Sequence, residues 1–208
     1  MVDVKTFPTT EEELFELGPG PHRFPASLEE FAAVTYESEL RTEYINGELV
    51  LMSYATLLHE LIVGELISLL KAALSEGYYV VPSSHRVYQS FMTRSFAPDV
   101  FVVKGGIKQS KPAGKVSMVT NPWLIVEVLS PGTETYDLGT KLTAYKKFPS
   151  VEYILYVHQL EQRATLHFRS SATLWRSEDF GPEQPEITIG DAKFSLIDIY
   201  RNLPDEEE

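Results

Sequence analysis

Hydrophobic alternation and periodicity divide this chain into strands and helices, and residues 1–26 show neither. That stretch is acidic and broken by Pro8, Pro19, Pro21 and Pro25. Thr10 with Glu13 makes a capping box, which predicts one short helix in an otherwise extended segment. Ser27-Leu28-Glu29-Glu30 is a second capping box and predicts a helix over residues 27–36. In EYINGELVLM, Asn46-Gly47 sits between apolar flanks. A two-residue type I′ turn needs positive φ at both central positions, so this predicts a β-hairpin whose return strand opens with Glu48. Leu58, Leu61, Ile62, Leu66, Leu69 and Ala73 then recur at helical spacing and predict a long helix over residues 56–75, stopped by Gly77.

Four strand-like runs follow: YYVV, RVYQSFM, DVFVV and WLIVEVL. The last two are almost continuously apolar, as expected of central strands covered on both faces. Between them, KGGIKQSKPAGKVSMVTN is polar and rich in glycine and lysine, and is expected as a long loop. After WLIVEVL a short turn leads to a helix over residues 137–148, ended by Pro149, and VEYILYV reads as another buried strand. RATLHFR and a strand at residues 186–189 are expected to form a meander, and FSLIDIYRNL to close the chain as an amphipathic helix. The pattern is α/β, with one domain over residues 27–203 between an acidic extension (1–26) and an acidic tail (204–208).

The net charge of -12 argues at first against a nucleic-acid partner. Its distribution alters that picture. Between residues 100 and 151 lie Lys104, Lys108, Lys111, Lys115, Lys141, Lys146 and Lys147, against Glu127, Glu134 and Asp137 alone. That window is +4 and the remainder -16. It is either a solvated lysine loop or a surface that contacts phosphates. The chain has no cysteine, which excludes disulfides and thiolate metal sites. It has no apolar run of about 18 residues and no signal pattern at its start, so a cytoplasmic protein is expected.

Two carboxylates stand out by position. Asp99 follows Pro98 at the head of a buried strand, and Glu127 lies inside WLIVEVL, where an ionised group is costly unless paired or metal-bound. A structural salt bridge to Lys141 or an arginine is one explanation. A shared divalent ion is the other, and hard oxygen donors suit Mg²⁺ or Mn²⁺. Asp137, Lys141 and Tyr145 fall at i, i+4 and i+8 on the helix after the Glu127 strand, so they share one face. They are either an exposed pair stabilising the helix by about 0.3–0.5 kcal/mol or part of the same site. His59 lies in the apolar arc of its helix, beside Val63, Leu66 and Leu70, where a hydrogen-bonded core histidine is the ordinary case.

PDVFVV, then WLIVEVLSPGTETYDLGTKLTAYKKFPSVEYILYV, together with YINGELVLMS followed by His59, resembles the Uma-two family of endonucleases over residues 27–203. That family belongs to the PD-(D/E)XK, restriction-endonuclease-like superfamily. The resemblance implies a mixed central β-sheet flanked by helices, a homodimer, and Mg²⁺- or Mn²⁺-dependent hydrolysis of DNA phosphodiesters. It implies that Asp99, Glu127 and the backbone carbonyl of Val128 hold the metal. Glu48 is carried over as a further carboxylate, and His59 as a phosphate contact or proton shuttle. The superfamily places a lysine two residues after the glutamate; here that residue is Leu129, and proteins resembling this one supply the lysine from the next helix, at Lys141. On an ideal helix Lys146 and Lys147 point about 140° and 120° away from Lys141, so Lys141 is expected to turn inward and the other two outward. The strand after that helix also departs from the family ending, with Ile154 and His158 in YILYVHQ. Two other functions stay open: a non-catalytic DNA- or protein-binding module that keeps the nuclease fold, and hydrolysis of another phosphate ester.

Overall fold

The computed structural model describes residues 7–204 except 19, 54 and 115. Pro19, Lys115 of the lysine-rich segment and the acidic residues 205–208 therefore lie outside the described residues. In chain order the first half forms α1 (Glu11–Phe15), β1 (His22–Pro25), α2 (Leu28–Glu37), β2 (Arg41–Ile45), β3 (Glu48–Met52), α3 (Leu57–Ala73), β4 (Tyr78–Pro82), β5 (Val87–Gln89), β6 (Arg94–Phe96) and β7 (Val100–Lys104). The second half forms β8 (Gln109–Ser110), β9 (Met118–Val119), β10 (Leu124–Leu129), α4 (Glu134–Tyr136), a π-helical turn (Asp137–Lys141) and α5 (Leu142–Tyr145). It continues with β11 (Tyr153–His158), β12 (Ala164–Arg169), β13 (Trp175–Phe180), β14 (Glu186–Ile189), β15 (Ala192–Ser195) and α6 (Leu196–Tyr200). Among the described residues no helix is long and apolar enough to cross a membrane.

The chain divides into two compact units, each assembled from separated stretches. The first takes Met1–Tyr54, Arg86–Ala97 and Gln109–Thr120; the second takes Ala55–His85, Pro98–Lys108 and Asn121–Glu208.

The first unit is a seven-stranded sheet in the order β1-β3-β2-β6-β5-β9-β8. Both expected capping boxes form: Thr10 with Glu13 on α1, and Ser27 with Glu30 on α2. The β2–β3 hairpin closes at Asn46 (φ 55) and Gly47 (φ 85), the two positive values that a type I′ turn requires. Part of the segment expected as an extension belongs to this unit. β1 pairs antiparallel with β3, and Phe7 and Leu14 join Phe31, Leu49 and Leu51 in its core. The expected long loop also contributes: β9 pairs parallel with β5 at Val87↔Val119 and antiparallel with β8.

The second unit is a six-stranded mixed sheet in the order β13-β12-β11-β10-β7-β4, with the β14–β15 pair beside it in sequence as a separate ladder. β7 and β10 are interior strands, as their apolar runs imply. Leu124, Val126 and Val128 of β10 pack with Ile62, Val63, Leu66 and Leu70 of α3 in one core. The meander is not the expected one: β12 pairs with β13, and Glu186–Ile189 pairs with Ala192–Ser195. Phe194 and Ser195, read as the start of the last helix, are strand residues for the same reason, and α6 is shorter than expected.

Candidate active site

β10 carries the first site residue. Side chains alternate along a strand, so with Val126 and Val128 directed to the α3 core, Glu127 faces the other side. The crossover from β10 to its parallel neighbour β11 covers that side. It holds α4, the π-helical turn and α5, and Glu127 lies opposite Tyr156 of β11 in the register. Glu127 is 1% exposed, and one hydroxyl donor and one cation meet it from the crossover: Lys141 Nζ lies 2.6 Å from Oε1, and the Tyr145 hydroxyl donates to Oε1 at 2.5 Å.

The π-turn fixes Lys141. Leu142 N–H donates to Asp137 C=O, five residues back, which widens one turn of the helix. The Tyr156 hydroxyl donates to the same carbonyl at 2.9 Å. Asp137 Oδ1 lies 2.8 Å from Lys141 Nζ, so the ammonium is held between two carboxylates. Lys141 is 2% exposed and Asp137 3%. The Tyr136 and Tyr145 rings stand 5.8 and 6.0 Å from the ammonium. The Tyr156 hydroxyl is pushed above the usual phenol range, by burial first and by the Glu127 charge second. Lys141 therefore points inward as its helix face implies. Lys147 is exposed, while Lys146 is half-buried with its ammonium 6.0 Å from the Trp175 ring, so it does not reach fully into solvent.

Asp99 approaches from β7. The antiparallel register ends at Val126↔Val100, and one further step sets Glu127 opposite Asp99. Val128 N–H donates to Asp99 Oδ2 at 2.7 Å. This carboxylate takes the place of a ladder acceptor beyond the end of β7, in the plane of the sheet. An extended residue directs its N–H and C=O to the same side, so the Val128 carbonyl is turned toward β7 as well. His59 Nε2, from α3, lies 3.2 Å from the same Asp99 oxygen. His59 is 4% exposed and belongs to the apolar face of α3, so the core position and the contact with Asp99 hold together. Thr56 caps α3 by accepting the His59 N–H and takes a hydrogen bond from Gln159 Nε2 at 3.0 Å.

Within the second unit, Asp99 thus meets His59 and the Val128 N–H, and Glu127 meets Lys141 and Tyr145. Glu48 opens β3 in the first unit, is 39% exposed at its side chain, and pairs with Arg23 at 3.0 Å. The buried carboxylate of that hairpin is Glu43, 0% exposed, whose Oε1 accepts the Ala97 N–H at 3.1 Å. Arg41 donates to the Ala97 carbonyl, so both backbone groups of Ala97 are held, two residues before Asp99. Arg86 donates to the Thr42 carbonyl and hydroxyl, and burial brings its pKa down to about 10 against the opposing charge of Glu43. Sequence reasoning passed over Glu43 and Tyr156. Glu43 sits between Thr42 and Tyr44 with no apolar run around it to mark it as buried, whereas Tyr156 stands in the buried run YILYV at the register position of Glu127.

Two proteins of Synechocystis sp. are similar along most of the chain. The uncharacterized protein slr1290 is 26% identical over 179 residues, covering 85% of this chain and 92% of its own. The uncharacterized protein sll1609 is 27% identical over 161 residues, covering 76% and 86%. Among solved structures, a crystal structure from Anabaena variabilis, described as a "putative nuclease belonging to DUF820", superposes with a TM-score of 0.64 over 79% of this chain and 92% of that one, at 16% identity. The fold is shared at that identity. The model of the Uma2 family, described as "Putative restriction endonuclease", matches residues 28–195, most of the described chain, and the protein belongs to that family.

Proposed function

We propose that this protein is a divalent-metal-dependent endonuclease that hydrolyses phosphodiesters of DNA at the Asp99–Glu127 site. The observation that carries this reading is that buried carboxylates outnumber buried lysine in the second unit. Among the described residues of the second unit, three buried carboxylates, Asp99, Glu127 and Asp137, stand against one buried lysine, Lys141. Such an excess is costly unless a cation offsets it, and a divalent ion can do so.

The donor chemistry fits Mg²⁺ or Mn²⁺. Asp99, Glu127 and the Val128 carbonyl are hard oxygen donors. Among the described residues, no group of three or more His, Asp or Glu side chains is gathered to hold an ion alone. Mg²⁺ keeps several waters and takes one or two carboxylates plus substrate phosphate, which suits so short a ligand list. When bound, the ion polarises the phosphodiester and lowers the pKa of a coordinated water. Lys141 supplies the cation that Leu129 cannot. Its ammonium orients the attacking water and offsets charge that grows in the transition state. His59 fixes the Asp99 carboxylate, with Val128 N–H as the second anchor. Burial of these side chains keeps these interactions strong by excluding water.

These roles need the second unit's side chains alone, and Glu48 is assigned no step. The homodimer implied by the family resemblance is part of the proposal, and sedimentation of the purified protein tests it. The overall charge of -12 favours one rival, a binding module that keeps the fold without cutting. Nicking of supercoiled plasmid and cutting of single-stranded DNA decide between them. The wild type cuts with Mg²⁺ or Mn²⁺ and not with EDTA, and Asp99→Asn and Glu127→Gln lose at least about 10²-fold in rate. Metal binding without cutting by the wild type would establish the module instead.

A further inference from the structure

Lys141 poses a difficulty for any ion that uses Glu127. Its ammonium already lies 2.6 Å from Glu127 Oε1, and both groups are 2% exposed or less. An ion approaching Glu127 competes with that ammonium. A buried lysine deprived of its partner is strongly destabilised. With Lys141 paired to Glu127 alone, each metal-binding event would strand a buried charge.

The second carboxylate removes the conflict. Asp137 Oδ1 lies 2.8 Å from the same ammonium and is 3% exposed. It is held on its own element, because the Asp137 carbonyl takes both the π-turn hydrogen bond from Leu142 and the Tyr156 hydroxyl. The Tyr136 and Tyr145 rings flank the ammonium too. We propose that Asp137 is a positioning residue that retains Lys141 when Glu127 exchanges the ammonium for the metal ion. The ammonium then stays charged, buried and beside the ion. This inference rests on the metal-site reading above.

The proposal predicts a reversal that a merely structural role would not produce. The measurement is the affinity for Mn²⁺, read by calorimetry without DNA, with a thermal melt of each variant to establish folding. Asp137→Asn removes the carboxylate that would hold Lys141 when Glu127 turns to the ion, so Mn²⁺ binding falls by about 10- to 100-fold. Adding Lys141→Met to Asp137→Asn removes the competitor and returns the affinity to the wild-type level or above. Asp137→Glu keeps the charge and stays close to wild type, which preserves the test if Asp137→Asn fails to fold. An Asp137→Asn/Lys141→Met protein that binds Mn²⁺ as poorly as Asp137→Asn, or an Asp137→Glu protein that has lost binding, would overturn the proposal. A folded wild type that does not bind Mn²⁺ would overturn the metal-site reading itself, and this inference with it.

Discussion

Lys141 Nζ and Glu127 Oε1 stand 2.6 Å apart, both side chains 2% exposed, one from the β10–β11 crossover and the other from the middle of β10. Leu129 occupies the position two residues after the glutamate and is itself buried. The cation therefore reaches the carboxylate through space from a helical turn instead of along the strand.

The first consequence concerns stability. Removing one partner of a buried ion pair leaves the other uncompensated, at a cost of about 3–5 kcal/mol. Lys141→Met removes the ammonium from Glu127 and Asp137 together, so urea unfolding of that variant without metal shows a loss of this order. A surface lysine, as Lys141 would be on an exposed helix face, predicts a change below about 1 kcal/mol. Glu127→Gln combined with Lys141→Met recovers part of the loss.

Catalysis separates the lysines of the crossover. At temperatures where all variants are folded, Lys141→Met lowers the rate of DNA cleavage by about 10²–10³-fold. Lys147→Met, at an exposed position, leaves it nearly unchanged. Equal cleavage rates for the two variants would remove Lys141 from the mechanism.

The lysine-rich segment is tested by salt. Lys104, Lys108 and Lys111 are all exposed, and the Lys104 ammonium also lies 5.6 Å from the Tyr78 ring and 5.7 Å from the Trp123 ring. If Lys108 and Lys111 contact duplex phosphates, each change to glutamine flattens the plot of log affinity against log salt by about 0.9. Lys104→Gln then has the smaller effect. Binding isotherms at several salt concentrations measure this, and three unchanged slopes would make the segment a solvated loop.

Acid sensitivity follows from His167 on β12. Burial holds its pKa down at about 4, below the ordinary imidazole value of 6.5, and the nearby Lys146 acts in the same direction. The folded protein therefore binds this proton less readily than the unfolded chain. The His167 contribution is present above pH 6.5 and is lost as pH falls from 6.5 toward 4. Unfolding midpoints across that range decline less steeply in His167→Gln than in the wild type. An unchanged pH profile would show that the ring titrates as in the unfolded chain.

What could be read from the sequence was local. Asn46-Gly47, the two capping boxes and the spacing of Asp137, Lys141 and Tyr145 each depend on residues a few positions apart, and each appears in the structure. What escaped depends on distant pairing. Met118–Val119 becomes a strand because Val87 and Arg86 lie beside it, with Val119 N–H donating to Arg86 C=O. Trp175–Phe180 contains RSED, a polar run with no apolar face, and is a strand because β12 offers it an edge. The same limit applied to the site. Glu48 and Glu43 are five residues apart on one hairpin, and only the fold separates the exposed partner of Arg23 from the carboxylate buried under Ala97. Asp99 and Glu127 could be read as buried carboxylates without any knowledge of their neighbours, because one heads an apolar run and the other lies inside one.

The central claim is that Asp99 and Glu127 share one divalent ion. Diffraction from crystals soaked in Mn²⁺, recorded at the manganese absorption edge, tests it most directly. The account predicts an anomalous peak within about 2–2.5 Å of an oxygen of each carboxylate and of the Val128 carbonyl, with Lys141 Nζ retained by Asp137. A fully soaked crystal with no peak there, or with the Lys141–Glu127 pair intact and manganese bound elsewhere, would contradict it.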